Sequence, residues 1–436
     1  MTDINFTVNP GGHLSGELRV PGDKSISHRS IMLGSLAEGV TRVSGFLEGE
    51  DSLATLAAFR AMGVQIEGPD QGNVTVHGVG LHGLQAPRKE LYLGNSGTSM
   101  RLMAGLLAGQ AFTATLTGDP SLSGRPMKRV VDPLTAMGAR IATADKGTAP
   151  LVINGGSALT GIDYAMPVAS AQVKSSLLLA GLYANGATCV TEPAPTRDHT
   201  ERMLSGMGYP LQREGNRVCL QGGQGLQAID IDIPADISSA AFFLVGASIA
   251  EHSDLILEHV GMNPTRTGVI DILKLMGASI TVTNEREVGG EPVADLRVRS
   301  APLRGIDIPP GLVPLAIDEF PVLFVAAACA EGRTVLTGAE ELRVKESDRI
   351  QVMADGLVAL GVQAQATPDG MIIDGGPITA GSVDSHGDHR IAMAFAMAAL
   401  RAQGAIEIHD CANVNTSFPG FVALAANAGL AIEGNA

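Results

Sequence analysis

The chain is 436 residues long, too much for one ordinary core, so its length predicts two or three domains or a repeated architecture. Hydrophobic residues make up 45% of it and charged residues 17%, a balance that excludes disorder and leaves ample surface to bury. A net charge of −15, 3% aromatics and no tryptophan exclude the basic footprint and stacking platforms of a nucleic-acid binder.

Met1-Thr-Asp-Ile-Asn-Phe has neither a basic nor an apolar region, so no export signal is expected and the chain is placed in the cytoplasm. Apolar stretches such as Pro321 to Ala330 and Ile391 to Leu400 fall short of the roughly 20 residues a membrane span needs. Cys189, Cys219, Cys329 and Cys411 show no CxxC spacing and lie far apart, which reads as buried reduced thiols rather than a disulfide framework or a zinc site.

Along the chain a helix-to-strand junction recurs six times, at Gly63, Gly138, Gly208, Gly277, Gly361 and Gly429. Each glycine closes an apolar helix in the manner of a left-handed C′ residue, and a short apolar strand follows. In step with it runs a second helix with a polar entrance, starting near Ser25, Ser96, Ser170, Asp236, Asp318 and Asp388. These second helices are apolar nearly all round, which predicts buried core helices with Ser or Asp as N-caps. Alternating runs at Asn73–His77, Ala228–Ile233 and Gly370–Asp374 predict strands between them. Six such units suggest two lobes of three, with a seam in the glycine-rich stretch that leads from Gln221 to Pro234.

Helix entrances carry unpaired N–H groups and partial positive charge, so several converging on one cleft would attract phosphates and carboxylates. Scarce cations collect beside them: Lys24 and Arg29 in Pro21-Gly-Asp-Lys-Ser-Ile-Ser-His-Arg29, three in Ser123-Gly-Arg-Pro-Met-Lys-Arg129, Lys345 and Arg349 around Glu346, and Arg390 after Asp388. One such island alone is ordinarily a solvated face, but four together fit a ligand with several negative charges. Asp318 reads equally well as a helix cap, and Glu346 as an ion-pair partner. Arg197 in Thr196-Arg-Asp-His-Thr-Glu201 is a further candidate anion ligand, with Asp198 as the cap of the next helix. A GxGxxG match at Gly78–Gly83 is followed by Pro87 where a helix should develop, and His386 with His389 has no further ligand cluster, so neither a dinucleotide nor a metal is expected.

These segments, with Gly94-Asn-Ser-Gly-Thr98, Ser170-Ala-Gln-Val-Lys-Ser175, Asp318-Glu-Phe-Pro321, Arg343-Val-Lys-Glu-Ser-Asp-Arg349 and Ser417-Phe-Pro419, resemble the motifs of 5-enolpyruvylshikimate-3-phosphate synthases over essentially the whole chain. The resemblance implies an α/β fold of two similar lobes, each of three βαβαββ units in an inside-out α/β barrel, joined by a two-stranded hinge. Residues 22–235 would form one lobe, and 1–21 with 236–436 the other, with substrates in the cleft between. It implies transfer of the enolpyruvyl group of phosphoenolpyruvate to the 5-hydroxyl of shikimate 3-phosphate by a monomer, without organic cofactor or metal. Lys24 would touch both substrates. Ser25, Arg29, Ser170, Gln172, Arg197, Asp318 and Lys345 would hold the acceptor. Gly97, Arg125, Gln172, Arg349 and Arg390 would receive the donor, with Gly97 leaving room. Asp318 would take the hydroxyl proton, and Glu346, assisted by Lys24, would handle the methylene proton.

Two departures stand out. Asn415-Thr416 lies where many members have a lysine, and Leu102 lies where glyphosate-sensitive members usually have proline, although Gly97 is the sensitive-type residue. The sister family, UDP-N-acetylglucosamine enolpyruvyl transferase, usually carries a reactive cysteine ahead of the arginine matching Arg125; here the approach is Gly118-Asp-Pro-Ser-Leu-Ser-Gly124. A non-catalytic binder of a phosphorylated metabolite is the other alternative, and it would gain nothing from carboxylates beside its cations.

Overall fold

In the computed structural model, which describes residues 4–435, the six junction glycines all have positive φ, between 82° and 118°. That is the conformation a Cβ would penalise, so each helix stops there and the chain turns into a strand. The expected core helices are Lys24–Leu36, Gly97–Ala108, Ala171–Gly181, Ile237–Ile249, Phe320–Ala328 and His389–Ala398. Every residue of the last three is buried. At about 1.5–3 kcal/mol for each fully buried Phe, Leu or Val, packing holds these helices far more than propensity does.

Ser96, Ser170, Asp236 and Asp388 cap their helices through the side chain, as expected. The first and fifth entrances differ. Asp23, not Ser25, caps the first, accepting from the backbone N–H of Ile26 at 2.9 Å. The fifth helix has Glu319 at the cap position with no side-chain cap, and Pro321 in its first turn removes one donor that would have needed one. Asp318 is therefore released for other contacts.

The strands expected at Asn73–His77 and Gly370–Asp374 form as Asn73–Val79 and Gly370–Asp374. The run expected at Ala228–Ile233 is instead two short pieces, Leu226–Gln227 and Ile231–Asp232, both parallel to Ala37–Ser44. Leu226 faces Ala37 but Ile231 faces Val43, a slip of one residue that prevents continuous pairing.

The chain divides into two compact units. The first comprises Gly22–Ile233 with Val288–Glu291; the second comprises the residues up to Pro21, Pro234–Glu287 and those from Pro292 on. Each unit has its own apolar core and three sheets. In the first unit every sheet repeats one pattern, a strand paired in parallel with a neighbour that continues antiparallel, as in Asp163–Ala165, Ala187–Thr191, Arg217–Gln221 and Leu211–Glu214. Gly105 lets two of its core helices touch backbone to backbone, since a Cβ there would fall 2.0 Å from the Ser176 carbonyl oxygen. In the second unit, Asn5–Val8 lies between Ile406–His409 and Ile432–Asn435, antiparallel to both.

The expectation of four reduced thiols is corrected for one pair. Cys189 and Cys219 stand directly opposite each other on antiparallel strands and form a disulfide, with Cα atoms 4.1 Å apart. Thirty residues separate them, so register brings them together and local spacing could not reveal it. Cys329 and Cys411 are free, and burial pushes both thiols up to about 12. Among the described residues no helix is long and apolar enough to cross a membrane.

Candidate active site

In the first unit Lys24, Ser25, Gly97, Ser170 and Gln172 lie at helix entrances, Arg29 lies one turn inside its helix, and Arg125 follows the end of the short helix Pro120–Gly124. Lys24 begins its helix and pairs with Asp51, Nζ to Oδ2, at 3.1 Å, with 19% of its side chain still exposed. One turn on, Arg29 is buried and donates to Thr200 Oγ1 at 2.7 Å, Ser175 Oγ at 3.0 Å and the Ser25 carbonyl at 2.9 Å. Burial pulls the Arg29 guanidinium down to about 10; nearby Arg197 adds to this, while Glu201, Asp23 and Glu291 oppose it. Ser170 and Gln172 occupy the entrance of the helix that supplies Ser175. Arg125 donates to Asn95 Oδ1 at 2.6 Å and to Ser121 Oγ at 3.4 Å. A Cβ on Gly97 would lie 3.0 Å from Arg101 Nη1 and 3.1 Å from Arg125 Nη1, so glycine keeps that approach open.

His28 lies in the same helix, fully buried. Its Nδ1 is 2.8 Å from Thr55 Oγ1 and 3.2 Å from Ser99 Oγ, and its Nε2 is 3.4 Å from Ser96 Oγ. Burial first, then Lys24 and Arg29, push its pKa down to about 3 against the pull of Asp23. It is a neutral ring bridging the first turns of two core helices.

In the second unit the candidates form a lattice around Arg349, which is 1% exposed. Its Nε donates to Asp388 Oδ2 at 2.7 Å, its Nη2 to Glu346 Oε2 at 2.6 Å and its Nη1 to Asp318 Oδ1 at 3.3 Å. Burial opposes the charge, but Asp388, Glu346 and Asp318 together hold the guanidinium above its ordinary range. Lys345 Nζ reaches the same Asp318 oxygen at 3.4 Å. Arg390 Nη1 donates to the Asp318 carbonyl at 3.0 Å and lies 3.7 Å from Glu319 Oε1. Glu319 also accepts from Ser238 Oγ, and Arg266 approaches it at 3.9 Å.

Asp318, Lys345, Glu346, Arg349 and Arg390 are thus brought into one cluster, with Arg349 as its hub. Sequence reasoning cast Asp388 as a cap only; its cap role holds through Oδ1, which also accepts from Arg349 Nη2 at 3.3 Å, while Oδ2 takes Arg349 Nε and Ser347. Asp198, expected to cap by its side chain, instead pairs with Arg202 and Arg213 at 2.9 and 3.1 Å. Lys174, Asp51 and Arg266 were not anticipated. A lysine within an apolar core helix was a signal for Lys174, because a buried ammonium requires carboxylate partners.

Such a set can orient multiply charged anions through its cations and can move protons through Asp318 and Glu346. The EPSP synthase (3-phosphoshikimate 1-carboxyvinyltransferase) family profile matches residues 8–424. A relative named 3-phosphoshikimate 1-carboxyvinyltransferase from Alkalilimnicola ehrlichii is 75% identical, covering 98% of this chain and 96% of its own. One of the same name from Methylococcus capsulatus is 72% identical, covering 99% of both. The solved structure of EPSP synthase from Acinetobacter baumannii matches with a TM-score of 0.90 at 60% identity, covering 100% of both chains.

Proposed function

The chain belongs to the EPSP synthase family, and from that premise we infer that it transfers the enolpyruvyl group of phosphoenolpyruvate to the 5-hydroxyl of shikimate 3-phosphate, releasing phosphate. The sister UDP-sugar reaction is not favoured by these relatives. One observation carries the chemistry: a carboxylate, Asp318, fixed between Lys345 and Arg349, with a second, Glu346, on the same guanidinium.

On this reading the acceptor is held by Lys24, Ser25, Arg29, Ser170, Gln172, Arg197, Asp318 and Lys345, and the donor by Lys24, Gly97, Arg125, Gln172, Arg349 and Arg390. Asp318 takes the proton of the 5-hydroxyl as its oxygen adds to C2 of the donor. Glu346, with Lys24, delivers a proton to C3 and removes one as phosphate leaves. Each positioned proton-transfer group contributes about 10²–10⁴ in rate. The cations balance the charge on the departing phosphate. For Arg349, three carboxylate contacts support a second role, aiming Asp318 and Glu346. The three sheets in each unit support the finer reading of the mixed α/β fold as two lobes of three βαβαββ units in an inside-out barrel, with lobes near 22–235 and 1–21 plus 236–436. A cytoplasmic monomer completes the proposal.

The test is phosphate release from phosphoenolpyruvate with either acceptor. Turnover with shikimate 3-phosphate that survives EDTA is expected; turnover only with UDP-N-acetylglucosamine would overturn the reading.

A further inference from the structure

Lys174 is 1% exposed in the first turns of the core helix Ala171–Gly181. Its Nζ lies 3.0 Å from Glu192 Oε2 and 2.8 Å from Glu201 Oε1, and donates to the Thr196 carbonyl at 3.4 Å. Thr196 Oγ1 also donates to Glu192, at 2.5 Å. Next along the same helix, Ser175 receives the Thr200 hydroxyl at 2.8 Å and Arg29 Nη2 at 3.0 Å. Residues 192–201, which carry Arg197, are thereby bound to the helix whose entrance bears Ser170 and Gln172.

Two nearly buried carboxylates beside an anion site are a liability, because like charge repels the ligand the site must hold. Glu201 is close enough to act on Arg29, and its other oxygen, Oε2, is buried without a hydrogen-bond partner. Only Lys174 reaches both carboxylates among the ion pairs of the described residues.

We propose that Lys174 is a positioning residue for the acceptor: its single charge offsets one of the two on Glu192 and Glu201 and fixes the segment that presents Arg197, so that the field at Arg29 and Arg197 stays attractive to a phosphorylated ligand. This rests on the acceptor assignment above. Lys174 touches no substrate, so its loss acts on acceptor binding and spares the chemical step.

The experiment compares wild type, Lys174→Met, and Lys174→Met with Glu192→Gln and Glu201→Gln, by steady-state kinetics and by calorimetric binding of shikimate 3-phosphate. Lys174→Met should raise the acceptor's KM and Kd about tenfold, with kcat and the donor's KM nearly unchanged at saturating acceptor. The triple variant, neutral at all three positions, should recover to within about threefold of wild type. A folded Lys174→Met enzyme with unchanged acceptor affinity, or a folded triple variant as weak as the single, would overturn the proposal. Should Lys174→Met fail to fold, Glu201→Gln, which leaves one lysine against one carboxylate, must bind acceptor more tightly than wild type; equal or weaker binding would overturn it. Wild type that binds shikimate 3-phosphate without turning it over would defeat the functional reading and leave this one to be decided by the binding ranks.

Discussion

Arg29 in the first unit and Arg349 in the second are both nearly closed off from solvent, at 4% and 1% exposed, yet their surroundings treat the charge in opposite ways. Arg29 donates to two hydroxyls and a carbonyl, and its pKa falls to about 10. Arg349 donates to three carboxylates and is held above its ordinary range. A buried guanidinium left on neutral partners has no carboxylate bonded to it to offset its charge, whereas one enclosed by carboxylates is held charged by them and fixes their positions. The same residue type beside a helix entrance is therefore accommodated in two different ways, and the partner list decides which.

The sharpest way to break that contrast is to delete each guanidinium. Arg349→Met should cost about 3–5 kcal/mol of stability by abandoning Asp388, Glu346 and Asp318 together, visible in denaturant unfolding. A loss below about 1 kcal/mol would show that the lattice does not bind the unit together. Next in size, Glu346→Gln should lower kcat by about 10²-fold or more with little change in KM, and should slow solvent deuterium entry into the donor's methylene. Near-normal turnover and exchange would reduce Glu346 to an ion-pair partner of Arg349. Arg29→Met, losing bonds to neutral partners only, should cost about 1–3 kcal/mol, less than Arg349→Met, while raising the acceptor's KM about tenfold. Reversal of that order in unfolding experiments would undo the comparison.

The last effect is read across pH and belongs to His28. Its folded pKa of about 3 lies below the unfolded value of 6.5, so between these the unfolded chain binds the proton that the folded chain refuses. Its contribution is whole above pH 6.5 and is lost as pH falls toward 3, by about 1.4 kcal/mol per pH unit. Urea unfolding from about pH 7.5 to 5 should show this slope in wild type and lose it in His28→Gln. Equal slopes would mean that His28 takes up its proton in the folded protein.

What was legible in the sequence was local. Gly63 and its five counterparts could be read as helix ends because a left-handed residue leaves a mark at its own position, and Phe320–Ala328 as buried because no polar face interrupts it. The candidate cations were legible as islands, but their partners were not. Arg349 meets Asp388 from 39 residues away, Lys174 meets Glu192 and Glu201 beyond the intervening strand Ala187–Thr191, and Cys189 meets Cys219 through strand register. In each case tertiary placement sets the partner, and residue type alone restricts it only to an opposite charge or a second thiol.

The strand Asn5–Val8 carries a consequence for how the chain is made. Both its neighbours, Ile406–His409 and Ile432–Asn435, are synthesised some 400 residues after it. The three sheets of the first unit draw all their strands from within residues 37–232 and can assemble while translation continues. Closing a loop of some 400 residues adds little to the entropy already lost over 200, since that cost grows only with the logarithm of length, but the pairing cannot begin before the second partner exists. Phe6 must therefore remain outside its core until those residues emerge, and on the ribosome the second unit finishes after the first and meanwhile offers an incomplete apolar sheet to chaperones.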